Sequence, residues 1–543
     1  MKSLPSRPDI DHLKRQAKDL LADFRRAAPD AVARFRNALP LAAGRDPASA
    51  SRLNLRLHDA QSCIAREYGF DSWTDLKAYV DARRVSEGDP AILEKAFCRL
   101  VYAEDLAGGT NSARPQAASR LLTEHPDLPA RDPWIACAAG DAALVRRQLE
   151  ADPSWVNRIG GPLGLTPLIA ATHSSLLRVP EYRAGFHKVV DLLLDAGADV
   201  NLSVSKNSAS VAGAPPQTWR VSALHGAAGV NFDFDLTRRL LAAGANPNDG
   251  ESLYHSLDKP VCTPLLLEFG ATVTGTNALF RSLDFDDLDT FKLLLSYAAG
   301  ADELKGGRLL FWAIRRRRSP AHIEALLAAG VDPAVQTKDG VSAYVQALRY
   351  GLPDVAAVLK AAGAASDLSE DEQFMAACAR DDAEAARRIK ARRPDLPAAL
   401  EDAQLKMLPE LAAAGCSGPV ALMAELGWPI TERGGDWNAS ALNHAVFRGD
   451  AAMARQLLAC GASWTEEHGF GDNVCGTLSW ASWNRPLDDG DWVGCAEALV
   501  AYGMPGAQWD IEDPNCVVIV GKRRRFSEDV AAYLLQRGAE NAG

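Results

Sequence analysis

LLLDAGADVN, residues 192–201, closes an apolar run on Gly197 and follows it with a short polar tail. The phrase returns as LLAAGANPN at 240–248, LLLEFGATV at 265–273, LLAAGVDP at 326–333, LLACGAS at 457–463 and LLQRGAE at 534–540, with weaker copies between. Its glycines, Gly197, Gly244, Gly270, Gly300, Gly330, Gly363, Gly427, Gly461, Gly503 and Gly538, recur at steps of 47, 26, 30, 30, 33, 64, 34, 42 and 35. A unit of about 33 residues accounts for most of these steps, the 64 being two units and the 47 and 42 carrying insertions. Each glycine sits where an apolar helix has to stop, a place that calls for a residue tolerant of a left-handed backbone.

The other half of the unit lies upstream, as GLTPLIAATH at 164–173, VSALHGAAG at 221–229, DGVSAYVQAL at 339–348 and ASALNHAVFRGD at 439–450. Thr166, Pro167 and Leu168, and more loosely Ser222, Ala223, Leu224, His225 and Ser440, Ala441, Leu442, carry the TPLHxA pattern, and here the chain resembles the ankyrin repeat. A pair of short helices cannot bury its apolar face alone, so stacked pairs share one continuous core. The expectation is an all-α, ankyrin-type helical repeat solenoid of about twelve units over residues 91–543, several of them degenerate. The resemblance implies a non-catalytic scaffold whose loop tips and first helices form a concave face for a protein partner.

Residues 1–84 follow another rule. DIDHLKRQAKDLLADFRRA spaces Leu13, Ala17, Leu20, Leu21 and Phe24 on one helical face, and DAQSCIAREYGFDSWTDLKAYV at 59–80 reads as two helices around Gly69, with Ser72 as a cap. This stretch is similar to the helical segment ahead of ankyrin repeats in many bacterial proteins. We expect an N-terminal helical domain over 1–84, a linker over 85–90 and the repeats over 91–543.

The composition, 47% hydrophobic and 24% charged with net charge -11, argues against general nucleic-acid binding, since a polyanion would be repelled. No run approaches the roughly 20 apolar residues that span a bilayer, so no membrane role is expected and the location is read as cytoplasmic. The ten cysteines form no CxxC pair and read as reduced core residues. No GxGxxG, phosphate loop, HExxH or GxSxG occurs, so no cofactor and no catalysis are expected. His225 and His444 read as hydrogen-bonding partners of adjoining turns. His468, Asp472 and Cys475 fit no standard metal spacing, so no metal is expected.

Seven of the twelve tryptophans fall within residues 428–513, where thirteen acids face four bases, nine of the eleven net negative charges. Trp428 and Trp492 read as core. Register places Trp437 and Trp464 in projecting loops, Trp219 in the same loop position of an earlier unit, and Trp480 and Trp483 on a first helix. A ring beside carboxylates attracts positive charge, so a basic protein segment is the expected partner. The expected contact residues are Trp219, Asp436, Trp437, Trp464, Glu466, Glu467, Asp472, Trp480, Trp483 and Trp509. A sugar or amine in the same groove is the alternative, and an enzyme with a site assembled across repeats is a third reading. The insertions at 174–188 and 202–218 read either as a lid or second contact site, or as loose surface loops. Two basic runs remain: Arg315–Arg318, placed at the end of a first helix and read as a solvated turn, and KRRR at 522–525, given almost the same register.

Overall fold

The structure, a computed structural model, describes the chain except at positions 1, 6, 54, 86–89, 108–111, 208–217, 488, 511–515 and 543. It divides into two compact units, Met1–Phe285 and Asp286–Gly543. Both are built from short paired helices, so the architecture is all-α and of the ankyrin type.

The first unit begins with helices Ile10–Arg25, Pro29–Ala38, Pro47–Ala50, Leu57–Glu67 and Trp73–Val85. The predicted face of the first, Leu13 to Phe24, is buried, and Ser72 Oγ accepts the Asp75 N–H at 3.1 Å to cap the fifth. Arg34 and Glu67 form a two-pronged ion pair at 2.6 and 2.8 Å that ties the second helix to the fourth. Most of the expected linker, 86–89, lies outside the described residues. On either side of it, Trp73–Val85 packs against Pro90–Val101 and Pro115–Glu124, so these N-terminal helices share a compact unit with the repeats that follow.

The repeat pairs of this unit include Pro133–Ala139 with Ala142–Ala151, Pro167–Thr172 with Pro180–Asp195, and Ser252–Ser256 with Thr263–Glu268. Those of the second unit run from Arg308–Arg315 with Pro320–Ala328 to Val474–Asn484 with Trp492–Ala501. The motif Ser or Thr explains where each first helix starts. Thr166, Ser222, Ser342 and Ser440 each accept the N–H of the residue three further on, satisfying a donor that the helix cannot. The glycines explain where the second helices end. Nine of the ten, all but Gly538, have positive φ, from 77° at Gly300 to 101° at Gly461. After most of them the next N–H reaches back to a helical carbonyl, as from Ala198 to Leu193 at 2.9 Å and from Ala462 to Leu457 at 3.0 Å.

Asparagines bind successive loop tips in the first unit. Asn157 Nδ2 donates to the Gly197 carbonyl at 3.1 Å while its Oδ1 accepts the Asp199 N–H at 2.7 Å. Asn201 repeats this on Gly244 and Asn246, and Asn248 on Gly270 and Thr272. The next position in register is Thr274, and the asparagine series ends there.

Three expectations fail. Gly538 lies inside the last helix, Glu528–Ala542, because it serves a close crossing: a Cβ there would collide with the Ala507 carbonyl. The run at 522–525 is not a helix end. Lys522–Arg524 is a strand paired with Val517–Ile519, which pairs in turn with Gln508–Trp509. The 174–188 insertion is no lid, for Ser174, Ser175, Leu176 and Leu177 are buried and Pro180 starts a helix that continues to Asp195. Within the other insertion, Val204–Asn207 pairs with Thr218–Val221, and 208–217 lie outside the described residues. Of the cysteines, seven are buried, Cys416 and Cys516 are half-buried and Cys460 is exposed.

Candidate functional site

Trp219 belongs to the first unit, half-buried on its strand opposite Lys206. The other nine expected contact residues belong to the second. Trp428 and Trp492 are buried, as the core reading requires.

Around the first helix Ala441–Arg448 the second unit gathers rings. Arg433–Gly434 and Ala439–Ser440 form a two-residue hairpin whose tip holds Asp436 and Trp437. The Trp437 ring lies 4.8 Å from His444, 5.7 Å from Phe447 and 5.1 Å from His468. Phe447 is stacked on Trp480 at 5.5 Å and 10°. Both are seven residues past their helix caps, Ser440 and Asn473, so the same position in consecutive repeats puts ring on ring. Phe470, beside His468, is 73% exposed, and Trp480 is 50% exposed. Trp437 and Trp480 are thus brought together through Phe447, which sequence reasoning passed over although its helical spacing from His444 marked it. His444 does bond an adjoining turn, its Nε2 lying 3.1 Å from the Gly434 carbonyl.

The remaining tryptophans take other places. Trp464 packs against the core of its unit. Trp483 lies under the Arg525 guanidinium at 3.7 Å, and Trp509 is exposed on an outer strand.

Three of the four expected acids have partners within the chain. Asp472 accepts both Arg524 nitrogens at 2.7 Å; burial works against its charge, but these hydrogen bonds outweigh it and take the carboxyl down to about 2. Glu466 accepts the Ser463 N–H at 2.8 Å, and burial raises its carboxyl above the usual range. Glu467 is exposed. Asp472 is therefore committed to arginine, and the neighbouring Cys475 is a core thiol that burial pushes up to about 11. Among the described residues, no group of three His, Cys, Asp or Glu could hold a metal ion, and no helix is long and apolar enough to cross a membrane.

Asp436 is held by the Arg315–Arg318 run, which overturns the solvated-turn reading. Arg315 ends its helix as expected, but its Nη2 lies 2.9 Å from Asp436 and 3.2 Å from Glu410. Arg316 reaches Asp436 at 2.9 Å and lies over the Trp312 ring at 4.3 Å. Arg317 donates to the Tyr350 carbonyl, and Arg318 donates to the Arg316 carbonyl at 2.8 Å and forms an ion pair with Asp286 at 3.3 Å. Tyr350 Oη and the Gly435 N–H, at 3.3 and 3.2 Å, complete the shell of Glu410. Partners 95 and 120 residues away are what a count of charge along the sequence cannot see. Three acids of the negative window at 428–513 are paired from outside it, Asp436 by Arg315 and Arg316 and, on the other side, Asp472 by Lys522 and Arg524 and Asp510 by Arg523.

No curated protein matches the chain in sequence. Among solved structures, the human ASB11 ankyrin repeat domain is 18% identical, covering 44% of this chain and 100% of that one at a TM-score of 0.31. The ankyrin repeat domain of Bcl-3, of the IkappaB family, is 18% identical over 48% and 98% at a TM-score of 0.21. The ankyrin repeat family model matches residues 163–204, the segment that holds both the TPL helix start and the LLLDAGADVN helix stop.

Proposed function

We propose that the chain is a non-catalytic protein-interaction module that meets its partner on the first helices and hairpin tips of the second unit. The observation that carries this is the half-exposed aromatic group Trp437, Phe447, Trp480 and Phe470, held on adjacent repeats by ring-on-ring contacts. Large rings of fixed geometry give much contact area at little entropic cost and dominate protein interfaces. Of the acids expected to draw a basic segment, Asp436, Glu466 and Asp472 are engaged within the chain. Only Glu467 is left for that role, so the rings rather than the acids support the contact.

The test is affinity capture with the full chain against a Trp437→Ala/Trp480→Ala variant, the bound proteins being identified by mass spectrometry. The variant should keep the folding midpoint within a few degrees and lose the bound set. An unchanged set on the folded variant would remove the rings from the interface.

A further inference from the structure

Arg315 and Arg316 approach the two oxygens of one carboxylate, Asp436 Oδ1 and Oδ2, both at 2.9 Å. Two guanidiniums converging on opposite oxygens of a single carboxylate is how proteins receive an anionic side chain. Each arginine is fixed independently of Asp436: Arg315 by Glu410, Arg316 by the face of Trp312. The carboxylate is the loose member. Its side chain is 47% exposed against 27% and 28% for the arginines, and it stands at a hairpin tip beyond two glycines, Gly434 and Gly435. The second glycine has φ of 76°, and a Cβ there would meet the His444 ring at 2.6 Å, so a side chain is excluded where Asp436 turns inward.

With Asp436 turned away, the end of the Arg308–Arg315 helix would present Arg315, still beside Glu410, and Arg316, still over Trp312, on the same first-helix side as Trp437. We propose that this arginine pair is a docking site for an acidic side chain of a protein partner, and that Asp436 occupies it in the free chain as a built-in competitor. The proposal rests on the reading of this face as the contact surface and names the partner's chemistry as an acidic peptide. A peptide carboxylate is favoured over a nucleic acid because it reproduces the group that Asp436 already sets between the two arginines.

The experiment measures binding of a fluorescein-labelled oligoglutamate peptide to the full chain by anisotropy. Asp436→Asn should bind about tenfold more tightly than the unmodified chain, as expected when a charge-assisted competitor is removed. Adding Arg316→Ala should cancel the gain. Glu467→Gln makes the same change of charge at an exposed neighbour and should give none. No gain with Asp436→Asn, an equal gain with Glu467→Gln, or a larger gain for an oligonucleotide of matched charge would each overturn the proposal. If Asp436→Asn fails to fold, a photo-crosslinking form of the peptide on the unmodified chain decides: crosslinks at residues 312–316 support the site, and their absence there overturns it. Should the arginine test fail while Trp437→Ala/Trp480→Ala still loses its partner, the module reading stands without this site.

Discussion

Three histidines of the second unit show how placement sets the chemistry of single residues. His322, His444 and His468 are each held below the ordinary imidazole value of 6.5, burial being the main cause. Where the folded value is depressed, the unfolded chain takes up more protons as pH falls past 6.5, so stability is lost on that side. Asp472, held at about 2, contributes above its unfolded value of 3.8 and loses that contribution only in stronger acid. The melting temperature should therefore fall between pH 7 and pH 5 through the histidines alone of these four. His444→Gln retains a donor for the Gly434 carbonyl and should flatten part of that slope in thermal scans; a slope unchanged in the variant would take His444 out of the account. The bonding role of His444 was legible from its place in the repeat motif, its neighbours Trp437 and His468 only from the folded loops.

Helix ends carry the clearest contrast between what a local pattern can and cannot reveal. Gly461 at φ 101° has nothing near its missing Cβ, so Gly461→Ala costs only the left-handed strain, about 1–2 kcal/mol by urea denaturation. Gly538 was read as the same kind of stop because it sits in the same phrase. Within a helix Ala is favoured over Gly by about 1 kcal/mol, yet Gly538→Ala should destabilise more than Gly461→Ala, because the added carbon meets the Ala507 backbone. Circular dichroism of the two variants orders them, and the reverse order would restore the stop reading. The strand Lys522–Arg524 was hidden for a different reason. Its pairing to Val517–Ile519 is a tight hairpin through Val520 and Gly521 that a helix-repeat register masks, and only the further pairing to Gln508–Trp509 reaches beyond the few residues that fix caps and stops.

Across the second unit the repeats were legible because each is a local event restated, and the clasp of Arg315, Glu410 and Asp436 was not, because it joins distant repeats. Glu410 lies at the middle of that clasp, taking Arg315, Tyr350 and the Gly435 N–H. Glu410→Gln leaves an acceptor for Tyr350 and Gly435 but removes the charge opposite Arg315. It should lower stability by roughly 1.5–3 kcal/mol in denaturant titrations, the range for hydrogen bonds to charged groups. The loss should shrink at high salt, since the groups are partly exposed. A variant as stable as the parent would mean that the clasp does not hold these repeats together.

The asparagine bridges of the first unit have a consequence for motion. Loop tips ordinarily exchange their amide hydrogens fast and sample many shapes, which makes ordering them costly. Here the amides of Asp199, Asn246 and Thr272 are each bound by the asparagine of the preceding tip. The turns at Asp199, Asn246 and Thr272 are thus each pinned to the preceding repeat, and a molecule that contacts them would find part of the ordering cost already met.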